Sequence, residues 1–164
     1  MKVISLAAMV ASLYAVGTVA LTPIAYGLVQ VRLTDALIAL SFIPEMGWGV
    51  VLGVTLGNLV ANAFSPYGFP DLILGTVANF LASYLCMKFG RAKVRHGLFL
   101  GTLAASVVIA LIVGAGLLYG IYRVASPGVC FLAVLAGELI SVVLVGSMLV
   151  KALLRTKAIE KLVG

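Results

Sequence analysis

Apolar and polar positions fall in long blocks along this chain, not in residue-by-residue alternation. Charges are absent from residues 3–31, 46–70, 72–87 and 96–122, and a helix needs about 20 apolar residues to cross the hydrocarbon layer. Three of these runs are long enough, and 72–87 nearly so. With the breakers between them, the blocks predict six helices: Val3–Leu21 (ending before Pro23), a short Asp35–Ile43, Trp48–Phe64, Leu72–Phe89, Gly97–Ile121 and Val129–Leu154. Pro23–Thr34 is polar enough to be an ordered loop or a re-entrant piece. Pro44-Glu45-Met46-Gly47 reads as a tight turn, Ser65–Pro70 as a loop, and Ser126-Pro127-Gly128 as a separator. Asp71 is expected to cap the fourth helix. Lys2 before the first block invites a signal-peptide reading. That block is long for a signal, and the cleavage pattern around Thr18-Val19-Ala20 is weak, so we read it as a span. Six helices use most of the chain, leaving 1–164 as a single domain with short loops.

Composition identifies the environment these blocks are built for. Of 164 residues, 63% are apolar and 10% charged, against about 45–50% and 25% in an ordinary soluble domain. A soluble enzyme, a disordered tail and a nucleic-acid-binding domain are therefore disfavoured, despite a net charge of +6. The fold class expected is an all-α six-transmembrane-helix bundle in the cell membrane. Orientation follows from the cations. With both termini cytoplasmic, Lys2, Lys88, Arg91, Lys93, Arg95, Lys151, Arg155, Lys157 and Lys161 lie inside, and Arg32 and Arg123 outside. Cys86 and Cys130 read as small buried hydrophobes.

Candidate chemistry sits in the few polar residues that a bilayer makes expensive. Glu138 lies about ten residues into its helix, roughly 15 Å deep at 1.5 Å per residue, where an acid costs about 2.5–3.5 kcal/mol and marks a functional site by default. Asn58 and Asn62, four apart, share a face with Thr55, while Thr76, Asn79 and Ser83 form a second stripe. Amides offer donors and acceptors suited to a heterocycle edge, and interhelical bonding is the plainer use. The outer loops carry Tyr26, Gln30, Arg32, Asp35, Tyr67, Phe69 and Arg123, with Arg32 and Asp35 close enough in sequence to pair. Trp48 reads as an interfacial anchor. Small residues recur every four positions at Gly49, Gly53, Gly57 and Ala61, and at Ala7, Ala11 and Ala15, giving close-packing faces. The alanine stripe serves either internal packing or docking of a partner helix. No G-x-x-x-x-G-K-[ST] run is present, and neither metal-ligand spacing nor a nucleophile with an adjacent base is evident. The chain is expected to be no enzyme, to hold no cofactor or metal, and to need a partner or a coupled ion to power transport.

The run Tyr26-Gly27-Leu28-Val29-Gln30-Val31-Arg32-Leu33-Thr34-Asp35-Ala36-Leu37, with Gly57-Asn58-Leu59-Val60-Ala61-Asn62, Ser65-Pro66, Asp71 and Gly75-Thr76, resembles the queuosine-precursor (QueT) family of S components of energy-coupling-factor (ECF) transporters. The likeness covers essentially the whole chain. It departs at Asn79, where a smaller hydroxyl or apolar residue is expected, and at Asp35, where Glu is commoner. The resemblance implies capture of a 7-deazaguanine (preQ0, preQ1 or queuine) outside the cell. Uptake would then be driven by a coupling transmembrane subunit and two cytoplasmic ATPases. For such a ligand, the chemistry of the residues puts the substrate site at Glu138, Asn58, Asn62, Asn79, Gln30, Arg32, Tyr26 and Asp71, and the resemblance matches an A-x-x-x-A coupling face at Ala7 and Ala11, which Ala15 extends. Glu138 would accept adjacent N–H donors of the ring or neutralise the aminomethyl cation of preQ1. Nanomolar affinity needs about −12 kcal/mol, which so small a ligand reaches only when enclosed, so an occluded site under the outer loops is expected. The alternative is a proton-coupled permease or channel with Glu138 as a titrating relay.

Overall fold

The structure, a computed structural model, describes residues 3–27 and 29–156. Lys2, Lys157 and Lys161 of the inside set, and Leu28 of the family-like run, lie outside the described residues. Among those described, all regular structure is helical. We label the helices α1 (Val3–Ala20), α2 (Leu33–Phe42), α3 (Gly47–Asn62), α4 (Gly68–Ala92), α5 (Gly97–Ile121) and α6 (Pro127–Arg155); a single further turn, Thr22–Ala25, follows α1. Four of them, α1, α4, α5 and α6, are long and apolar enough to cross a membrane. The other two are shorter. Ten residues of α2 rise about 20 Å in 3₁₀ geometry, and 16 residues of α3 about 24 Å, both less than the roughly 30 Å hydrocarbon layer.

Two helix starts differ most from expectation. The fourth helix starts at Gly68 inside the expected loop, because Pro70 falls in its first turn, where a missing N–H costs nothing. Asp71 therefore lies within that turn, and no side chain caps this helix. The second helix starts at Leu33 and is 3₁₀. Elsewhere local chemistry holds: Ser126 accepts the Val129 N–H and Pro127 follows it at the first helical position. Both α5 and α6 widen to i→i+5 hydrogen bonding partway, over Ala110–Ile121 and Leu139–Gly146. The second widening begins directly after Glu138.

Helix α2 is the centre of the bundle and touches α1, α3, α4, α5 and α6. Three residues per turn align Asp35, Ile38 and Ser41 in one row and Ala36 and Ala39 in another, and all five are buried. Ser41 donates to the Ser83 carbonyl of α4 at 2.8 Å. The alanine row lies on Gly146 of α6, where an added Cβ would come within 2.8 Å of the Ala39 methyl and 2.9 Å of the Ala36 carbonyl. Around this post α1 packs on α3, α3 on α4, and α4 on α5. The two small-residue stripes meet each other: a Cβ on Gly53 or Gly57 would lie 2.8 Å from the Ala7 or Ala11 carbonyl. Large apolar side chains such as Ile4, Val16, Phe64, Leu132 and Met148 remain exposed on the outside, as a lipid-facing surface requires. Cys86 and Cys130 are free and buried. The helix directions gather Lys88, Arg91, Lys93, Arg95, Lys151 and Arg155 at one end, and leave Arg32 and Arg123 at the other.

Candidate functional site

At the end opposite the basic cluster, the segment between α1 and α2 folds back over the helix ends. Gln30, Arg32, Asp35, Asn58, Asn62, Asp71, Asn79 and Glu138 are each at most 3% exposed there, and Tyr26 6%. Sequence separations of up to about a hundred residues thus collapse into one polar cluster inside an apolar bundle.

Tyr14 is its hub. The hydroxyl donates to Asp35 Oδ1 and accepts from Asn79 Nδ2 at 2.7 Å and Asn58 Nδ2 at 3.0 Å. Asn79 also donates to Asp35 Oδ1 at 3.0 Å. Asn62 continues the chain, donating to Asn58 Oδ1 at 2.8 Å and to the Asp71 carbonyl at 3.0 Å. Gly75 permits this approach, since any Cβ there would collide with the Asn62 amide.

A second set ties the covering segment down. Arg32 Nε donates to the Ala25 carbonyl at 3.1 Å, and its terminal nitrogen pairs with Asp71 Oδ2 at 3.4 Å. Ser65 donates to the same Asp71 oxygen at 2.5 Å. The Arg32 guanidinium stacks on the Tyr26 ring, 4.7 Å from its centroid, and the Tyr26 hydroxyl donates to the Ala61 carbonyl at 2.9 Å. Burial opposes charge on Arg32, but Asp71, Tyr14, Asp35 and Tyr26 outweigh it and hold the guanidinium more firmly protonated than usual. Burial likewise pushes the Tyr26 phenol up. Arg32 therefore pairs with Asp71 and not with Asp35, its neighbour in sequence. The 3₁₀ turn directs Asp35 inward, toward α1 and α4.

Glu138 enters from α6 with its side chain buried and its Oε2 without a partner. Its backbone carbonyl accepts from Ser106 at 3.3 Å. The preceding residue, Gly137, lies directly under the Gln30 carbonyl, where a Cβ cannot fit. This contact seats the covering segment on α6.

Among the described residues, five buried side-chain atoms find no hydrogen-bond partner: Gln30 Nε2, Asp35 Oδ2, Asp71 Oδ1, Glu138 Oε2 and Ser141 Oγ. Each orphaned group costs about 1–3 kcal/mol, more when charged, and all five belong to this cluster or adjoin it in sequence. Surface depressions lie elsewhere, one of about 420 Å³ between His96, Phe99, Leu144 and Lys151. The polar cluster itself is buried beneath the covering segment.

Of the substrate-site residues read from sequence, all eight are buried at this end. Thr55 and Thr76 instead bond back to their own helices, at Val51 and Leu72. Phe69 is exposed, Arg123 stacks on Tyr119, and Trp48 packs against Tyr84. Tyr14 and Ser141 are additions. In sequence each is one of several hydroxyl-bearing residues in an apolar run, so only position in the bundle distinguishes them. Ala7 is buried against α3 and Ala11 and Ala15 are half-buried, while shallow apolar grooves between α1 and α3 are lined by Ala7 and, further along, by Ala15.

A family model described as "QueT transporter" matches residues 4–155. No curated protein and no solved structure matches the chain. The match spans nearly the whole chain, which therefore belongs to the QueT transporter family and is a multi-pass integral protein of the plasma membrane with a role in transport.

Proposed function

We propose that this QueT-family chain is the substrate-binding S component of an ECF-type transporter, taking up a 7-deazaguanine such as preQ0, preQ1 or queuine. In this reading all six helices lie across the membrane with both termini cytoplasmic, and the site opens outward. The observation that carries it is the set of orphaned polar atoms, above all Glu138 Oε2 and Asp35 Oδ2, in a closed cluster beneath the Tyr26–Arg32 segment. A deazaguanine presents adjacent N–H donors to a carboxylate on one edge and a carbonyl to amides such as Gln30 or Asn58 on another. Chemistry on the ligand is not required of this chain. ATP hydrolysis would belong to two cytoplasmic ATPases, acting through a coupling membrane subunit docked along the Ala7–Ala11–Ala15 side of α1.

The test is a titration of purified protein with these deazapurines, after checking its ultraviolet spectrum for a bound purine-like chromophore. Wild type is expected to bind, and Glu138→Gln to lose most affinity while still expressing. Equal affinity of both proteins would end the role given to Glu138. The buried, unpartnered carboxyl oxygen of Glu138 favours a second reading, a proton-coupled permease with Glu138 as relay. Its transport would collapse with the proton gradient and ignore ATP depletion.

A further inference from the structure

At the basic end of the bundle, a groove of about 420 Å³ lies between α5 and α6. Its inner walls are apolar: Phe99 from α5, with Leu144 and Met148 from α6, line it and are each more than half exposed. Toward the helix ends the lining changes to Ser147 and Lys151 from α6 and His96 at the start of α5. Leu144 lies about 10 Å further into the hydrocarbon than Lys151, at 1.5 Å per residue. Ser147, Lys151 and Arg155 recur every four positions on the last turns of α6, so a polar stripe continues from the groove to the helix end. Among the described residues the one ion pair is Arg32–Asp71, at the opposite end, so no carboxylate answers Lys151 there. The grooves between α1 and α3 differ in kind, since Thr55 is the one polar side chain among their lining residues and none is charged.

We propose that the α5–α6 groove holds one anionic phospholipid, with an acyl chain along Phe99, Leu144 and Met148 and the headgroup at Lys151, Ser147 and His96. The Lys151 ammonium and the Ser147 hydroxyl are donors, and a headgroup phosphate supplies acceptors for both. A lysine that merely snorkels to the interface meets any phosphate and discriminates little between headgroups. Here the lysine closes an apolar groove, lacks a carboxylate partner among the described residues, and has Arg155 one turn beyond it on the same stripe. That uncompensated positive charge favours a headgroup of net negative charge over a zwitterionic one. The inference rests on the bilayer setting alone and stands or falls apart from the deazaguanine reading.

The full chain, purified in detergent, is mixed with equal amounts of phosphatidylglycerol and phosphatidylcholine of matched acyl chains, and native mass spectrometry counts what stays bound. One phosphatidylglycerol per chain is expected, retained about fivefold or more over phosphatidylcholine, the scale of one lysine near an anionic headgroup. Lys151→Met is expected to bring that ratio toward one. Lys88→Met, the same charge change elsewhere at the basic end, is expected to leave it unchanged. Leu144→Trp fills the groove and is expected to lower retention of both lipids with Lys151 intact. Equal retention of the two lipids by wild type, or an unchanged ratio in Lys151→Met, would overturn the headgroup site. An equal drop in Lys88→Met and Lys151→Met would mean diffuse attraction to the basic end and would overturn the groove. Retention of neither lipid would also overturn the proposal and leave the groove to a protein helix. If Lys151→Met fails to fold, Leu144→Trp decides, since undiminished retention in that variant removes the groove.

Discussion

Tyr14 and Asp35, 21 positions apart on α1 and α2, share a fully buried side-chain hydrogen bond. Two asparagines from α3 and α4 converge on the same hydroxyl, so one phenol joins four helices around the central post.

Removing only that hydroxyl, in Tyr14→Phe, keeps the volume and deprives Asn58, Asn79 and Asp35 of their common partner. The expected cost is about 1–3 kcal/mol, the penalty for buried groups left unpaired. A thermal melt in detergent reads it as a lower midpoint. An unchanged midpoint would show that the hub carries no stability.

Arg32 and Asp71 are both buried, so removing either leaves a bare charge. Arg32→Met and Asp71→Leu are each expected to destabilise by about 3–5 kcal/mol, whereas the double variant loses far less, because an apolar pair avoids the desolvation of both ions. A double-mutant cycle on unfolding in detergent measures the coupling. Additive losses would mean that the pair acts separately.

Gly137→Ala places a methyl on the Gln30 carbonyl. The covering segment must lift, and ligand affinity is expected to fall by at least about tenfold, with a cost of about 1–3 kcal/mol. Gly128→Ala near the start of α6 meets nothing and serves as the matched control, with binding retained. Similar behaviour of the two variants would mean that the segment is not seated on Gly137.

The proposed docking of a coupling subunit along α1 predicts a split between binding and uptake. Ala15→Trp fills the groove beside Val16 and Val60 and is expected to spare ligand binding while abolishing uptake with the ATPase module present. Ala7→Trp is a poorer probe, since its side chain would also strike α3. Normal uptake by Ala15→Trp would remove Ala15 from the docking face.

Hydropathy alone fixed the membrane setting, the positions of six helices to within a few residues, and the segregation of cations to one end. Each follows from short-range physics, because burying charge in lipid is costly wherever the chain folds. Glu138 and the asparagines Asn58, Asn62 and Asn79 were legible for the same reason: an amide or acid in an apolar run must have a compensating partner. Which partner each one finds was not legible. Arg32 lies three residues from Asp35 yet meets Asp71, because a 3₁₀ turn in α2 sends the Asp35 carboxyl inward to Tyr14 and Asn79. Tyr14 looks like any aromatic in a span until four helices close on its hydroxyl. Periodicity records which side of a helix a residue occupies. Only packing the helices together decides what that side faces, through close approaches such as Gly137 under Gln30 and Gly146 against Ala36 and Ala39.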